Sequence, residues 1–319
     1  MSFKEIIKHT PELNYIRLEC WRLHAKAQLK RYDDYTFICK MYKKYCGKEL
    51  NLANPTRYTE KLQWLKLFYR NELMPIVSDK YEVRKYLEDN GYGWMLNELI
   101  AVYDNVDDID VATLPERFVL KAAHGSGWNL IVKDKTQVNW HIWKKIMKSW
   151  MKQNLYWFGR EWNYESQKPR IVIEKYLEDD SGELRDYKII CMNGKPAFMQ
   201  IDQNRSTNHK RVYVDTDGKP LNFGDSLEEN NLAGFEFGEL QKRMIEIAKE
   251  LSKPFPMVRV DFYACNGSIV FGELTFFGGS GFFKFNPDSM DKELGAGIIL
   301  PQPNYNLELY EKIMSESRK

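Results

Sequence analysis

The chain has 319 residues, of which 43% are hydrophobic and 29% charged, enough for a full core in one large domain or two closely joined ones and too apolar for a disordered chain. The formal net charge is +2, so the chain as a whole presents no electrostatic case for nucleic acid. Cys20, Cys39, Cys46, Cys191 and Cys265 are odd in number and show no CxxC spacing, which argues for reduced thiols and against a disulfide framework or a zinc site.

Residues 12–50 read as helices, with Ile16, Cys20, Leu23, Ala27 and Leu29 near helical spacing among Lys and Arg. Residues 1–50 hold 11 Lys/Arg against 6 Asp/Glu. That excess suits an anionic membrane surface or an acidic glycan, and equally suits a solvated helical face. No apolar run reaches membrane-spanning length, and the opening MSFKEIIKHTPEL lacks a signal-peptide stretch. The expectation is a cytoplasmic protein, with peripheral contact to the inner membrane face left open. Pro55 interrupts the chain, residues 59–65 read as another helix, and 1–75 form a helical, basic N-terminal segment. Ser78 is placed to cap a helix running to Leu87, which Gly91 would stop.

Residues 98–103 suit a strand and 107–115 a polar connector. A strand at 117–121 runs into His124-Gly125-Ser126-Gly127, and a second strand follows at 130–132, the pattern of a hairpin with a flexible tip. Residues 139–158 read as helical and 170–177 as a buried strand. From 184 onward strands dominate. Residues 186–192 turn at Asn193-Gly194 into 196–201. A helix spans 238–252, and 257–263 turn at Asn266-Gly267 into 269–275. Aromatic residues reach 14%, which fits stacking surfaces for rings or a thick aromatic core.

The chemistry concentrates in the last hairpin. Alternation puts Arg259, Asp261 and Tyr263 on one face of the first strand, and Glu273 and Thr275 on one face of the second. An antiparallel pair can set Asp261 beside Glu273. Two carboxylates together among Val, Phe, Ile and Leu need a cation, and Mg²⁺ held by carboxylates plus substrate phosphates is the usual one. The alternative is that both acids face solvent. Lys121 before the Gly-rich loop supplies a point charge where small residues let backbone N–H groups approach phosphate, although a lone Gly-Ser-Gly is also an ordinary turn. No Walker or Rossmann pattern occurs. The strand ending at Glu174-Lys175-Tyr176-Leu177 offers an apolar slot with an edge for adenine, or is simply a core strand end.

In order and spacing these pieces resemble the ATP-grasp superfamily over about residues 75–285. The wording DKYxVRxY, FVLKxxHGSG and DYK is more narrowly similar to the TupA-like ATP-grasp proteins, from about residue 50 to Pro301. The resemblance implies an α+β ATP-grasp fold, two lobes clasping ATP, with a helical N-terminal extension. It implies lobes at 76–116 and 177–319 and a lid subdomain at 117–176. Lys80 and Lys121 would hold phosphates under a lid of His124, Gly125, Ser126 and Gly127. Glu174, Lys175, Tyr176 and Leu177 would form the adenine hinge. Asp186 opens the segment that sends Lys188 toward the phosphates or the acyl intermediate, with Arg259 as the terminal arginine. Asp261 and Glu273 would bind Mg²⁺, with Thr275 where many relatives carry a stronger asparagine ligand. Phe276-Phe277-Gly278-Gly279-Ser280-Gly281 then either shapes an acceptor pocket or is a bulged loop.

The activity so implied is an ATP-dependent carboxylate–amine ligase acting in bacterial surface-polysaccharide biosynthesis. It would join an amino acid or other amine to a uronic-acid carboxylate through an acyl phosphate, releasing ADP and phosphate. A kinase on the same fold, a sugar-nucleotide glycosyltransferase and a glycan-binding module remain as alternatives.

Overall fold

The computed structural model describes residues 10–179, 184–203, 209–221 and 237–318. Residues 1–9 of the basic N-terminal segment lie outside the described residues. The chain divides into two compact units, Met1–Phe37 with Leu73–Tyr176, and Ile38–Glu72 with Leu177–Lys319. Helix α1 (Pro11–Arg31) belongs to the first unit and α3 (Tyr58–Phe68) to the second, while α2 (Asp34–Cys46) contributes residues to both. Among the described residues no helix is long and apolar enough to cross a membrane.

The first unit is built on four antiparallel strands, β1 (Leu99–Tyr103), β2 (Phe118–Ala122), β3 (Asn129–Val132) and β4 (Ile171–Lys175), in the order β1-β4-β2-β3. Strand alternation sorts the residues of β2 and β4 onto two faces. Phe118, Leu120, Ala122, Ile171 and Ile173 enter one core with Ile142, Ile146, Met147 and Trp150 of helix α6 (Trp140–Met151) and Leu18 of α1. The opposite face carries Val119, Lys121, Val172 and Glu174, in register as neighbours. Asn139 starts α6 by accepting the Ile142 N–H. Two shorter helices, α4 (Leu73–Ser78) and α5 (Glu82–Asp89), precede the sheet, and α7 (Tyr156–Gly159) follows α6.

The break between α4 and α5 corrects the expected cap. Ser78 ends α4, and its hydroxyl donates back to Met74 O at 2.8 Å. Asp79 does the capping: its carboxylate accepts the N–H groups of Tyr81 at 2.8 Å and Glu82 at 3.0 Å. The lone pairs of the serine hydroxyl are taken by Asn163 Nδ2 at 3.0 Å and Gln167 Nε2 at 2.9 Å, not by the next helix.

The second unit carries six antiparallel strands, β5 (Arg185–Met192), β6 (Lys195–Gln203), β7 (Lys210–Val214), β8 (Pro220–Leu221), β9 (Met257–Cys265) and β10 (Ser268–Thr275), in the order β10-β9-β5-β6-β7-β8. Both Asn-Gly pairs take positive φ at each position, as a type I′ turn requires. Helix α8 (Glu239–Ser252) packs on β9, β5 and β6. Tyr187 and Cys191 mark that apolar face, where Gln241 Nε2 donates to the Tyr187 hydroxyl and the Cys191 thiol contacts Ala248 O.

Helices α9 (Ser289–Ala296) and α10 (Leu307–Glu316) complete the chain. Asp291 of α9 ties down the start of α3, accepting from Thr59 N at 2.9 Å and Thr59 Oγ1 at 2.8 Å, while the Tyr42 hydroxyl meets Thr59 Oγ1 at 2.9 Å. All three residues are buried. Asp291→Ala strands these donors and should lower stability by about 1–3 kcal/mol in urea unfolding, with the midpoint shifted and the slope unchanged.

Candidate active site

The site is built on the sheet face of the second unit that does not meet α8. Glu273 of β10 stands opposite Asp261 of β9, and Asp261 stands opposite Lys188 of β5. Arg259 is opposite Thr275. This row depends on a one-residue irregularity. From the turn outward, Ser268 to Phe271 pair with Cys265 to Phe262 in unbroken register, which would bring Gly272 opposite Asp261 and point Glu273 to the other face. The register shifts between Phe271 and Glu273 instead, so Gly272 is the extra residue of a bulge. A Cβ on Gly272 would lie 2.9 Å from the Asp261 carbonyl oxygen, so this close approach requires glycine.

Arg259 binds its neighbours through a fork. Nε donates to Asp261 Oδ1 at 2.7 Å, and Nη2 donates to Asp261 Oδ2 at 2.6 Å, to Glu273 Oε1 at 3.1 Å and to Thr275 Oγ1 at 3.2 Å. Thr275 Oγ1 also donates to Glu273 Oε1 at 2.9 Å. Burial pushes the Asp261 carboxyl up; Arg259 opposes the shift, and Glu273 and Asp186 add to it. Burial acts against the charge on Arg259, but Asp261 and Glu273 outweigh it and raise its pKa. A second cation near this pair would relieve the repulsion. The donor set is all oxygen, as Mg²⁺ requires. Among the described residues no group of three or more His, Cys, Asp or Glu is placed to hold a metal. The set therefore fits an ion that takes its other ligands from substrate phosphates and water, and does not fit a cage made by the protein alone.

Lys188 is buried between two acids. Its ammonium donates to Asp186 Oδ2 and, at 2.8 Å, to Asp202 Oδ2. Sequence reasoning missed Asp202, which is wholly buried and saturated with donors. Gln200 Nε2 adds a bond to Oδ2 at 2.7 Å, while His209 Nε2 and Arg211 Nε each reach Oδ1 at 2.8 Å. Burial alone would raise this carboxyl, but hydrogen bonds from Lys188, Arg211 and His209 carry it well below the ordinary carboxylate range. A second register shift, between Ile190 and Cys191 in the β5–β6 pair, brings Asp202 opposite Asp186. An acid alternating with Gln200 inside an apolar strand was the available signal.

In the first unit the structure brings Lys121 and Glu174 together at 2.6 Å, with Arg84 3.6 Å from the same carboxylate. Lys80 donates from its backbone N–H to Ala123 O at 3.1 Å and from its ammonium to Gly125 O. The Gly-rich loop is packed at one end and open at the other. His124 is buried with Nε2 3.1 Å from Trp150 O, and a Cβ on Gly125 would strike the Trp128 ring at 2.2 Å. Ser126 and Gly127 are exposed. At the expected hinge, Lys175 N–H donates to Glu98 O at 3.0 Å and Lys175 O accepts from Asn97 at 2.8 Å. The Arg117 guanidinium lies over the Tyr176 ring, while Leu177 already belongs to the second unit.

Two predictions follow from the Asp202 cluster. Lys188→Met leaves two buried carboxylates facing each other and should cost about 3–5 kcal/mol of stability, part of which returns in Lys188→Met/Asp202→Asn. Because the folded pKa of Asp202 is depressed, its stabilising contribution is complete above the ordinary carboxylate range and is lost as pH falls through and below it. Urea unfolding of wild type should therefore weaken from about pH 5 downward more steeply than that of Asp202→Asn.

A family model described as TupA-like ATPgrasp matches residues 60–299. Solved structures similar to the chain include the D-alanine–D-alanine ligase of Helicobacter pylori, at 15% identity and a TM-score of 0.41, covering 77% of this chain and 70% of that one. The D-alanine–D-alanine ligase of Bacillus anthracis complexed with ATP matches at 15% identity and a TM-score of 0.40, covering 81% and 70%. The L-amino acid ligase of Bacillus licheniformis matches at 15% and 0.37, covering 64% of this chain and 42% of that one. A comparison with curated proteins finds no match. The family model spans most of the chain: this protein belongs to the TupA-like ATP-grasp family and has the α+β ATP-grasp fold, whose superfamily works with ATP and Mg²⁺.

Proposed function

We propose that this chain is an ATP-dependent carboxylate–amine ligase of bacterial surface-polysaccharide biosynthesis. It joins an amino acid or other amine to a uronic-acid carboxylate and releases ADP and phosphate. The observation that carries this reading is the in-register row Lys188, Asp261, Glu273 with Arg259 beside it. Such a row gathers metal-binding oxygens and fixed positive charge on one rigid surface, as transfer of a phosphoryl group to a carboxylate requires.

In this reading Asp261 and Glu273, assisted by Thr275, hold Mg²⁺, which when bound neutralises the terminal phosphates. Arg259 and Lys188 stabilise charge on the transferred group and on the tetrahedral intermediate. Lys80 and Lys121 hold phosphates, the Gly-rich loop at 124–127 closes over them as a lid, and residues 174–177 receive adenine. Asp186 orients Lys188. The work of the protein is positioning, charge compensation and exclusion of water, because an acyl phosphate exposed to water is hydrolysed. The enzyme acts in the cytoplasm, where its basic N-terminal segment suits peripheral contact with the inner membrane face.

ATP with Mg²⁺ should raise the melting temperature of the wild type by several degrees and that of Asp261→Ala/Glu273→Ala much less. Equal shifts would contradict the metal assignment. With ATP, a uronic-acid acceptor and mixed amino acids, the enzyme should release ADP and phosphate only when both acceptor and amine are present. Release of AMP and pyrophosphate, or a product that keeps the phosphate, would contradict the ligase reading.

A further inference from the structure

The Asp202 cluster contains more than Lys188 needs. A carboxylate offers about four acceptor positions, and Asp202 has four donors on them: Lys188 and Gln200 on Oδ2, His209 and Arg211 on Oδ1. The carboxylate is wholly buried, whereas the His209 side chain is 32% exposed, so the imidazole is anchored through Nε2 to a buried acid while part of the ring reaches the surface. An ionised carboxylate only accepts. Nε2 of His209 therefore carries the hydrogen of the 2.8 Å bond, and in the neutral imidazole the lone pair is left on Nδ1. A buried carboxylate that fixes the tautomer and direction of a partly exposed imidazole is the arrangement by which enzymes prepare a general base.

Its place on the sheet suits that work. Asp202 lies on β6, two strands from Asp261 on β9, with Lys188 of β5 bonded to it and standing opposite Asp261. Two strand spacings are about 10 Å. That is too far for a ligand of the phosphate-bound metal, so the pair has room for a role outside metal binding.

We propose that His209 is the proton acceptor for the incoming amine and that Asp202 is its positioning residue. The assignment rests on the ligase reading above. Amines of amino acids are largely protonated near neutral pH and have no lone pair for attack. Nδ1 of His209 takes one proton from the ammonium group. The freed lone pair attacks the acyl carbon and forms the C–N bond, and the C–O bond to phosphate breaks with its electron pair. The second amine proton leaves with the phosphate, and the imidazolium returns its proton to solvent. Arg211 on β7 and Lys188 on β5 are the other cations on Asp202, and they hold it ionised while His209 cycles.

The test uses full-length wild type and His209→Gln, whose amide N–H can keep the bond to Asp202. Each is given ATP, Mg²⁺ and D-glucuronate or D-galacturonate. One arm contains the amino acid most active with wild type, and the other contains hydroxylamine, which is a free base near neutral pH and needs no proton acceptor. The expected result is a fall of about 10²-fold in amide formation by His209→Gln, with hydroxamate formation within about three-fold of wild type and an unchanged melting temperature. A parallel fall of both products, or no fall in either, overturns the assignment while leaving the ligase reading intact. Absence of hydroxamate from wild type overturns the ligase reading and this assignment with it.

Discussion

The arrangement of charge in this protein depends on a single extra residue in one hairpin. A two-residue Asn-Gly turn fixes the pairing of β9 with β10, and an unbroken ladder from that turn would put Asp261 and Glu273 on opposite faces. Gly272 absorbs the offset. The bulge places both carboxylates, Arg259 and Thr275 on one surface, and the absence of a side chain at 272 lets the backbone of β9 approach. A comparable shift near the other Asn-Gly turn delivers Asp202 to the same face as Asp186 and Lys188. Two local departures from regular pairing thus convert alternating strands into a sheet with one apolar face against α8 and one charged face.

Such a surface is costly to fold unless its charges compensate one another, because removing a charge from water is expensive and only close partners offset the loss. The compensation is visible group by group. Arg259 answers Asp261 and Glu273, and Lys188 answers Asp186 and Asp202. Lys121 and Arg84 answer Glu174 in the first unit. The cations are matched to acids held on rigid strands, so the charged groups keep their positions without needing to reorganise.

Much of this was legible in the sequence. Alternation and the two Asn-Gly turns located the hairpins, and Lys121 and Glu174 emerged as strand features, although their side-by-side pairing did not. The bulges were not legible, since period-two patterning assumes regular pairing and a one-residue shift leaves no compositional trace beyond a glycine at 272. Nor was the partnership of Asp202 with His209 and Arg211, which arises from the β6–β7 register and not from any short motif. Ser78 drew attention as a cap because it has the right chemistry, yet Asp79 one residue later holds the position with its carboxylate. The role of the N-terminal helices lay beyond pattern reading for another reason. Asp291, which anchors the start of α3, is 232 residues away in sequence.

The central claim, that the bulge at Gly272 assembles one Mg²⁺ site from Asp261 and Glu273, is tested most directly by electron paramagnetic resonance of Mn²⁺ with ATP. The measurement compares wild type, Glu273→Gln and Gly272→Val, whose side chain the close approach to the Asp261 carbonyl does not admit, with a melting curve showing that each variant folds. The account predicts ATP-dependent Mn²⁺ binding in the wild type and a loss of about ten-fold or more in both variants. Wild-type affinity in folded Gly272→Val would contradict it.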